Sequence, residues 1–186
     1  MTLEFVTHFD VPWPEPFGVQ VVQSWGQIAA HLRIIQLHRV KLFVEIGAFK
    51  GGLSSFIGCR KNVDWDFQTL ALEKDESLIN PMSRTGQVEF RIADAWSSES
   101  IQHVKVNVDN CARGAAYIFC DGGNKAKEIH LYKSVLRVGD LIAAHDYPGE
   151  ITDADLADLD SDPALIQVEP EEYRYGVALP VYKRIK

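Results

Sequence analysis

Short segments rich in apolar residues at 41–46, 67–72, 88–92, 115–120 and 141–144 punctuate the chain, each of strand length. Between them, apolar residues recur at helical spacing. Ile28, Leu32 and Ile35 mark a helix over 25–38, with Ser24 placed to cap it. Further helices are predicted over 53–60, 97–106, 125–136 and 153–159, with a short helix or turn over 76–83 and Gly139 ending the segment after 136. Two last runs, 165–168 and 176–183, read as a closing pair of strands. Pro12, Pro14 and Pro16 make 9–18 extended, because proline and the residue before it avoid helix. Buried strands alternating with helices predict an α/β fold, a parallel sheet covered on both faces. The chain reads as a single domain over 1–186, an extended arm at 1–23 and a core at 24–186.

The polar residues that follow the strands are the informative ones. Glu45, Glu73, Asp94, Asp121, His145 and Asp146 all fall at predicted strand C-termini, where open α/β sheets bind ligands. Any one of them can be a helix cap; gathered at one edge they point to a site. The first strand runs into Glu45-Ile46-Gly47-Ala48-Phe49-Lys50-Gly51-Gly52. Glycines at such a turn allow a sharp bend and close approach to a nucleotide-like ligand. Glu45 argues against a phosphate there and for an amine. Glu73 can accept from a ribose diol, in NAD and S-adenosylmethionine alike. It lies slightly farther from Gly47 than the ~20 residues usual in dinucleotide folds, and the glycine pattern is not GxGxxG. Asp94 can accept from an adenine amine and Trp96 can stack on its ring, though Trp96 can equally be a half-buried residue of a helix start.

Composition narrows the class without naming it. With 186 residues, 46% hydrophobic and 24% charged, the chain is long enough for one well-cored domain of ordinary make-up. A net charge of −7 argues against bulk nucleic-acid binding through a basic surface. No apolar run approaches the ~20 residues of a membrane span. The start carries acids and no basic, apolar leader. Cys59, Cys111 and Cys120 show no CxxC spacing, so a disulfide framework or zinc site is not expected and a reducing cytoplasm fits best.

Three segments resemble class I S-adenosylmethionine-dependent methyltransferases, in particular the small branch of cephalosporin hydroxylase-like and rhamnosyl O-methyltransferase-like proteins. They are Phe43-Val44-Glu45-Ile46-Gly47 with Gly51-Gly52, Ile118-Phe119-Cys120-Asp121-Gly122-Gly123, and the LRVGDLIAAHD stretch ending at Asp146. The resemblance implies a doubly wound, mostly parallel seven-stranded sheet, the Rossmann-like methyltransferase fold, with an antiparallel last strand. It implies that Glu45, Gly47 and Gly51 hold the methionine part of the cofactor, Glu73 the ribose and Asp94 the adenine end; Trp96 and Asp121 are counted as further cofactor-binding residues.

Two routes can activate a small-molecule acceptor hydroxyl. Asp121, His145 and Asp146 can form a mixed oxygen–nitrogen site for Mg or Mn, although a histidine departs from the all-oxygen set a hard cation prefers. Alternatively His145 or Asp146 is a general base. Many relatives carry histidine where this chain has Asn124, which removes a base there; His130 reads as a solvated helix residue. Asp158, Asp160, Asp162 and Glu169 have EF-hand spacing, but Pro163 stands where that loop needs glycine, so 150–162 reads as an acidic cover beside the site. Ser54-Ser55 reads as a helix cap. Trp13 and Phe17 of the arm, and 147–175, are candidate lids, and a chain this short can complete its pocket as a homodimer. The expected function is methyl transfer to a hydroxyl of a small molecule or sugar. The alternatives are a non-catalytic S-adenosylmethionine-binding or assembly module and an NAD(P)-dependent oxidoreductase.

Overall fold

In a computed structural model, residues 14–15, 18–84, 87–111, 113–168 and 179–186 are described. The elements in order are α1 (Trp25–Leu37), β1 (Val40–Ile46), α2 (Gly52–Gly58), β2 (Gln68–Glu73), β3 (Glu89–Ile92), α3 (Ser98–Asn110), β4 (Ala115–Cys120), α4 (Lys125–Tyr132), β5 (Leu141–Ala144), α5 (Asp153–Asp160), β6 (Leu165–Gln167) and β7 (Val181–Arg184). The strands form one seven-stranded sheet in the order β3-β2-β1-β4-β5-β7-β6. Pairings from β3 to β5 are parallel, and β7 runs antiparallel to both β5 and β6.

Side chains of β1 alternate between two cores. Leu42, Val44 and Ile46 join Val104 and Val108 of α3, Ile129 of α4 and Leu156 of α5. Phe43 faces the other way, against Ile28, Ile34 and Ile35 of α1 and Leu53 and Ile57 of α2. A strand buried on both faces is largely apolar, which is why Leu42, Phe43 and Val44 are consecutive apolar residues at the centre of β1. Strand order reverses between β1 and β4, and their C-terminal ends open the crevice where such sheets bind ligands.

Ser24 caps α1 in a reciprocal box with Gln27. α3 continues to Asn110, past the predicted 106, because Val108 extends the buried stripe begun at Val104. The helix predicted over 125–136 ends at Tyr132, and Lys133–Val135 tightens into a 3-10 turn. Ser54 does not cap α2: its cap is Gly51, at φ +76, and both Ser54 and Ser55 are buried. Asp158 and Asp160 lie within the helix α5, which rules out a calcium loop there; Glu169 lies outside the described residues. So do Trp13, Phe17, most of the arm, and the 169–175 and 176–178 parts of the segments read as lid and closing strand.

Candidate active site

Two cavities open at the C-terminal edge. One, of about 300 Å³, is lined by Gly47, Phe49, Glu73, Asp94, Trp96 and Asp121, among others. The second, of about 410 Å³, is lined by Glu45, Lys50, Gly52, His145 and Asp146 and also by Gly47, Phe49 and Asp121. The shared residues make the two cavities one continuous site. Of the residues predicted for cofactor binding, only Gly51 is absent from both walls. It is buried, its N–H bonds the Ala48 carbonyl, and an added Cβ there would stand 2.7 Å from the Phe90 ring. Its work is to turn the backbone into α2. Gly47 is at the wall itself, with φ +84; a Cβ would lie 2.3 Å from Cα of Gly122. Glycine there lets the loops after β1 and β4 touch.

Glu45 is buried, and its carboxylate accepts from both the N–H and the hydroxyl of Ser54. Burial outweighs those hydrogen bonds and pushes its pKa up to about 8, so the group is largely neutral at pH 7. Glu73 accepts from the backbone N–H groups of Phe49, Lys74 and Asp75 at 2.7, 2.8 and 3.1 Å, which fixes its orientation at the cavity wall. Asp94 is exposed and accepts from Trp96 N–H at 2.9 Å. Trp96 is exposed rather than half-buried in packing, and the Lys127 ammonium stands 3.8 Å from its ring centroid.

His145 and Asp121 are coupled. Nδ1 of His145 lies 2.9 Å from Asp121 Oδ1, and Nε2 lies 2.8 Å from the Gln27 amide nitrogen. A carboxylate beside Nδ1 assigns the ring proton to Nδ1, leaving Nε2 to accept from Gln27. Burial lowers the His145 pKa, but the hydrogen bond and charge of Asp121 and the charge of Asp146 outweigh it, and the net shift is upward. Burial raises Asp121 in turn, against the pull of His145 and Lys125. Gln23 donates to the second oxygen of Asp121 at 2.5 Å.

Several of these partners carry no sequence signature. Gln23 reaches the site from the approach to α1, Gln27 from the first turn of α1 and Lys125 from the first residue of α4. Glu128, buried, accepts from the N–H groups of Gly122 and Asn124 and so shapes the loop after β4. A visible hint for Lys125 was its spacing of four from Asp121. Asn124 caps α4 through Lys127 N–H at 2.9 Å and is no base. His130 is not simply solvated: its Nε2 sits 2.9 Å from the Asp155 carbonyl oxygen and ties α4 to α5.

No protein-family model matches the chain, and no curated protein does. Solved structures do. CmcI in its ligand-free form aligns over 100% of this chain and 82% of its own, at TM-score 0.73 and 15% identity. A CmcI structure described with Mg and SAM aligns over the same shares at TM-score 0.71 and 17% identity. The O-methyltransferase TomG from Streptomyces achromogenes, in complex with SAM, aligns over 90% of this chain and 83% of its own, at TM-score 0.59 and 13% identity. The fold is that of the Rossmann-like methyltransferases. Identity this low establishes the fold and leaves the chemistry to the residues of this chain.

Within this methyltransferase fold, one ligand atom each of Asp121, His145 and Asp146 lies within 4.8 Å of the others, as a metal site requires. The same atoms already have partners. The Lys125 ammonium is 3.2 Å from Asp146 Oδ2 and 3.9 Å from Asp121 Oδ1, and both nitrogens of His145 are hydrogen-bonded. Burial alone would lower the Lys125 pKa, yet Glu150, Asp121 and Asp146 raise it overall, so it stays charged. A divalent ion ~4 Å from an ammonium is repelled by on the order of 8 kcal/mol at an effective dielectric of about 20, and the neighbouring carboxylates offset that repulsion. A metal at these three residues would have to displace the Lys125 ammonium from the same oxygens. Among the described residues, no helix is long and apolar enough to cross a membrane, and all three cysteines are free thiols.

Proposed function

We propose that this protein is a methyltransferase that takes its methyl group from S-adenosylmethionine and delivers it to a hydroxyl of a small molecule. The observation that carries this reading is the pair of cavities joined along Gly47, Phe49 and Asp121. Their walls differ in chemistry. Glu73, Asp94 and Trp96 suit a ribose diol and an adenine; Glu45 suits an α-amino group; His145 lies beyond, where an acceptor would enter. The likeness in fold to TomG and CmcI structures described with SAM supports S-adenosylmethionine as the ligand.

When bound, the cofactor supplies an electrophilic methyl group open to in-line displacement. The chain's contribution is orientation and proton transfer. Asp121 holds His145 with its proton on Nδ1, which presents the Nε2 lone pair. With an acceptor hydroxyl in place of the Gln27 amide, Nε2 of His145 would take the hydroxyl proton as the methyl group is transferred. Glu45 ionises as it pairs with the ammonium of the amino-acid moiety. A non-catalytic binding module is the second reading, favoured by one feature: Gln27 and Asp121 engage both ring nitrogens of His145.

Calorimetric titration with S-adenosylhomocysteine and with NAD(P), followed by transfer of labelled methyl to hydroxylated acceptors, separates these readings. Binding of S-adenosylhomocysteine with turnover is expected. Binding without turnover favours the module, and binding of NAD(P) alone sinks the proposal.

A further inference from the structure

We propose that Lys125 is the built-in cation of this site, standing where a divalent metal would otherwise bind, so that the acid cluster is organised without metal. The inference rests on the methyltransferase reading only for the identity of the reaction; the claim about Lys125 stands on the cluster itself. Lys125 is the first residue of α4 and only 6% exposed, an unusual depth for an ammonium. Its Nζ reaches oxygens from both loops that flank the site: Glu150 at 2.7 Å, Asp146 and the Gly122 carbonyl at 3.2 Å, and Asp121 at 3.9 Å. Three carboxylates brought this close repel one another unless a cation lies among them.

The arrangement is specific to the lysine's place. The β5–α5 loop turns at Asp146, a non-glycine residue at φ +59, and the Asp146 carbonyl accepts from Glu150 N–H at 2.8 Å. That turn sets the Asp146 and Glu150 carboxylates on the same ammonium. Lys125 therefore ties the loop after β5 to the loop after β4 and holds Asp146 beside His145, whose Nδ1 is 3.3 Å from Asp146 Oδ1. Lys125 acts through these groups, as a positioning residue. An acceptor entering the second cavity meets the His145 imidazole and the Asp121 and Asp146 carboxylates, with the Lys125 ammonium buried behind those acids.

The test is Mn²⁺ binding to the full chain without cofactor, read by the electron paramagnetic resonance signal of free Mn²⁺. The wild type is expected to leave the signal unattenuated and its melting temperature unmoved by Mn²⁺. Lys125→Met opens the cluster, and its Mn²⁺ affinity should exceed the wild type's by on the order of tenfold or more. Its melting temperature should rise with Mn²⁺. Mn²⁺ binding by the wild type overturns the proposal, and that arm needs no variant to fold. A folded Lys125→Met protein that binds no Mn²⁺ also overturns it. Turnover unaffected by EDTA is the expected companion result. If S-adenosylhomocysteine fails to bind, the methyltransferase reading falls while the Mn²⁺ arms still decide the role of Lys125.

Discussion

The side-chain amide of Gln27 meets Nε2 of His145 at 2.8 Å across 118 positions of sequence. The same side chain closes the capping box of α1, its Oε1 accepting from Ser24 N–H at 2.8 Å. One residue thus sets the start of a helix and occupies the ring nitrogen assigned here to proton transfer. Removing it has two consequences. Gln27→Ala should cost about 0.5–1 kcal/mol of stability in urea denaturation through the weakened cap. It should also raise the His145 pKa, since a donor to Nε2 favours the neutral ring. NMR titration of the imidazole reads this without requiring turnover.

His145 as the base fixes the sign of a pH profile. Its pKa lies above the ordinary 6.5, so kcat/KM should fall on the acid side with a midpoint above 6.5. Asp121→Asn removes the hydrogen bond and charge that raise it, and the acid limb should move to lower pH while kcat drops. His145→Ala should reduce kcat by about 10²–10⁴-fold. An unchanged limb in Asp121→Asn would exclude His145 as the titrating group.

Glu45 makes stability and ligand binding depend on pH in a defined direction. Its folded pKa is about 8 and its ordinary value is 4.5, so between these values the folded state holds the extra proton. Stability therefore falls as pH rises through that window. Glu45→Gln should flatten the dependence of the urea midpoint between about pH 5 and pH 8. In the wild type, pairing with an ammonium ionises Glu45. S-adenosylhomocysteine binding at pH 7 should release up to about one proton, measured by calorimetry in buffers of different ionisation enthalpy. Glu45→Gln should release none from this source.

Gly47→Ala should destabilise the fold by at least about 2 kcal/mol in urea denaturation, combining a positive φ with an overlap against Gly122. Gly123→Ala, where a Cβ meets nothing within 4 Å, is the matching control and should be near neutral.

The sequence pattern places β4 and β5 to the residue, because these strands are unbroken apolar runs, and the other strands to within a few positions where the structure describes them. The acids at the strand ends were visible for the same reason: each interrupts such a run. Helix ends were less legible. α3 runs on because of Val108, whose burial depends on its packing within the core that also holds Val104. Ser54 looked like a cap and proved to be a donor to Glu45, since only the turn at Gly51 brings the start of α2 over the end of β1.

The pattern of the sequence determined the layered fold, the edge at which the cavities open, and the acids that line it. Those are properties of short segments, and local periodicity encodes them. Which charge sits among Asp121, Asp146 and Glu150, and what touches each nitrogen of His145, were decided only by the tertiary structure. Lys125, Gln23 and Gln27 arrive there from different parts of the chain, and beyond the spacing of four between Asp121 and Lys125 nothing along the chain records that their side chains converge. The electrostatic character of the site follows from that convergence, because a buried ammonium offsets part of the charge of the carboxylates around it.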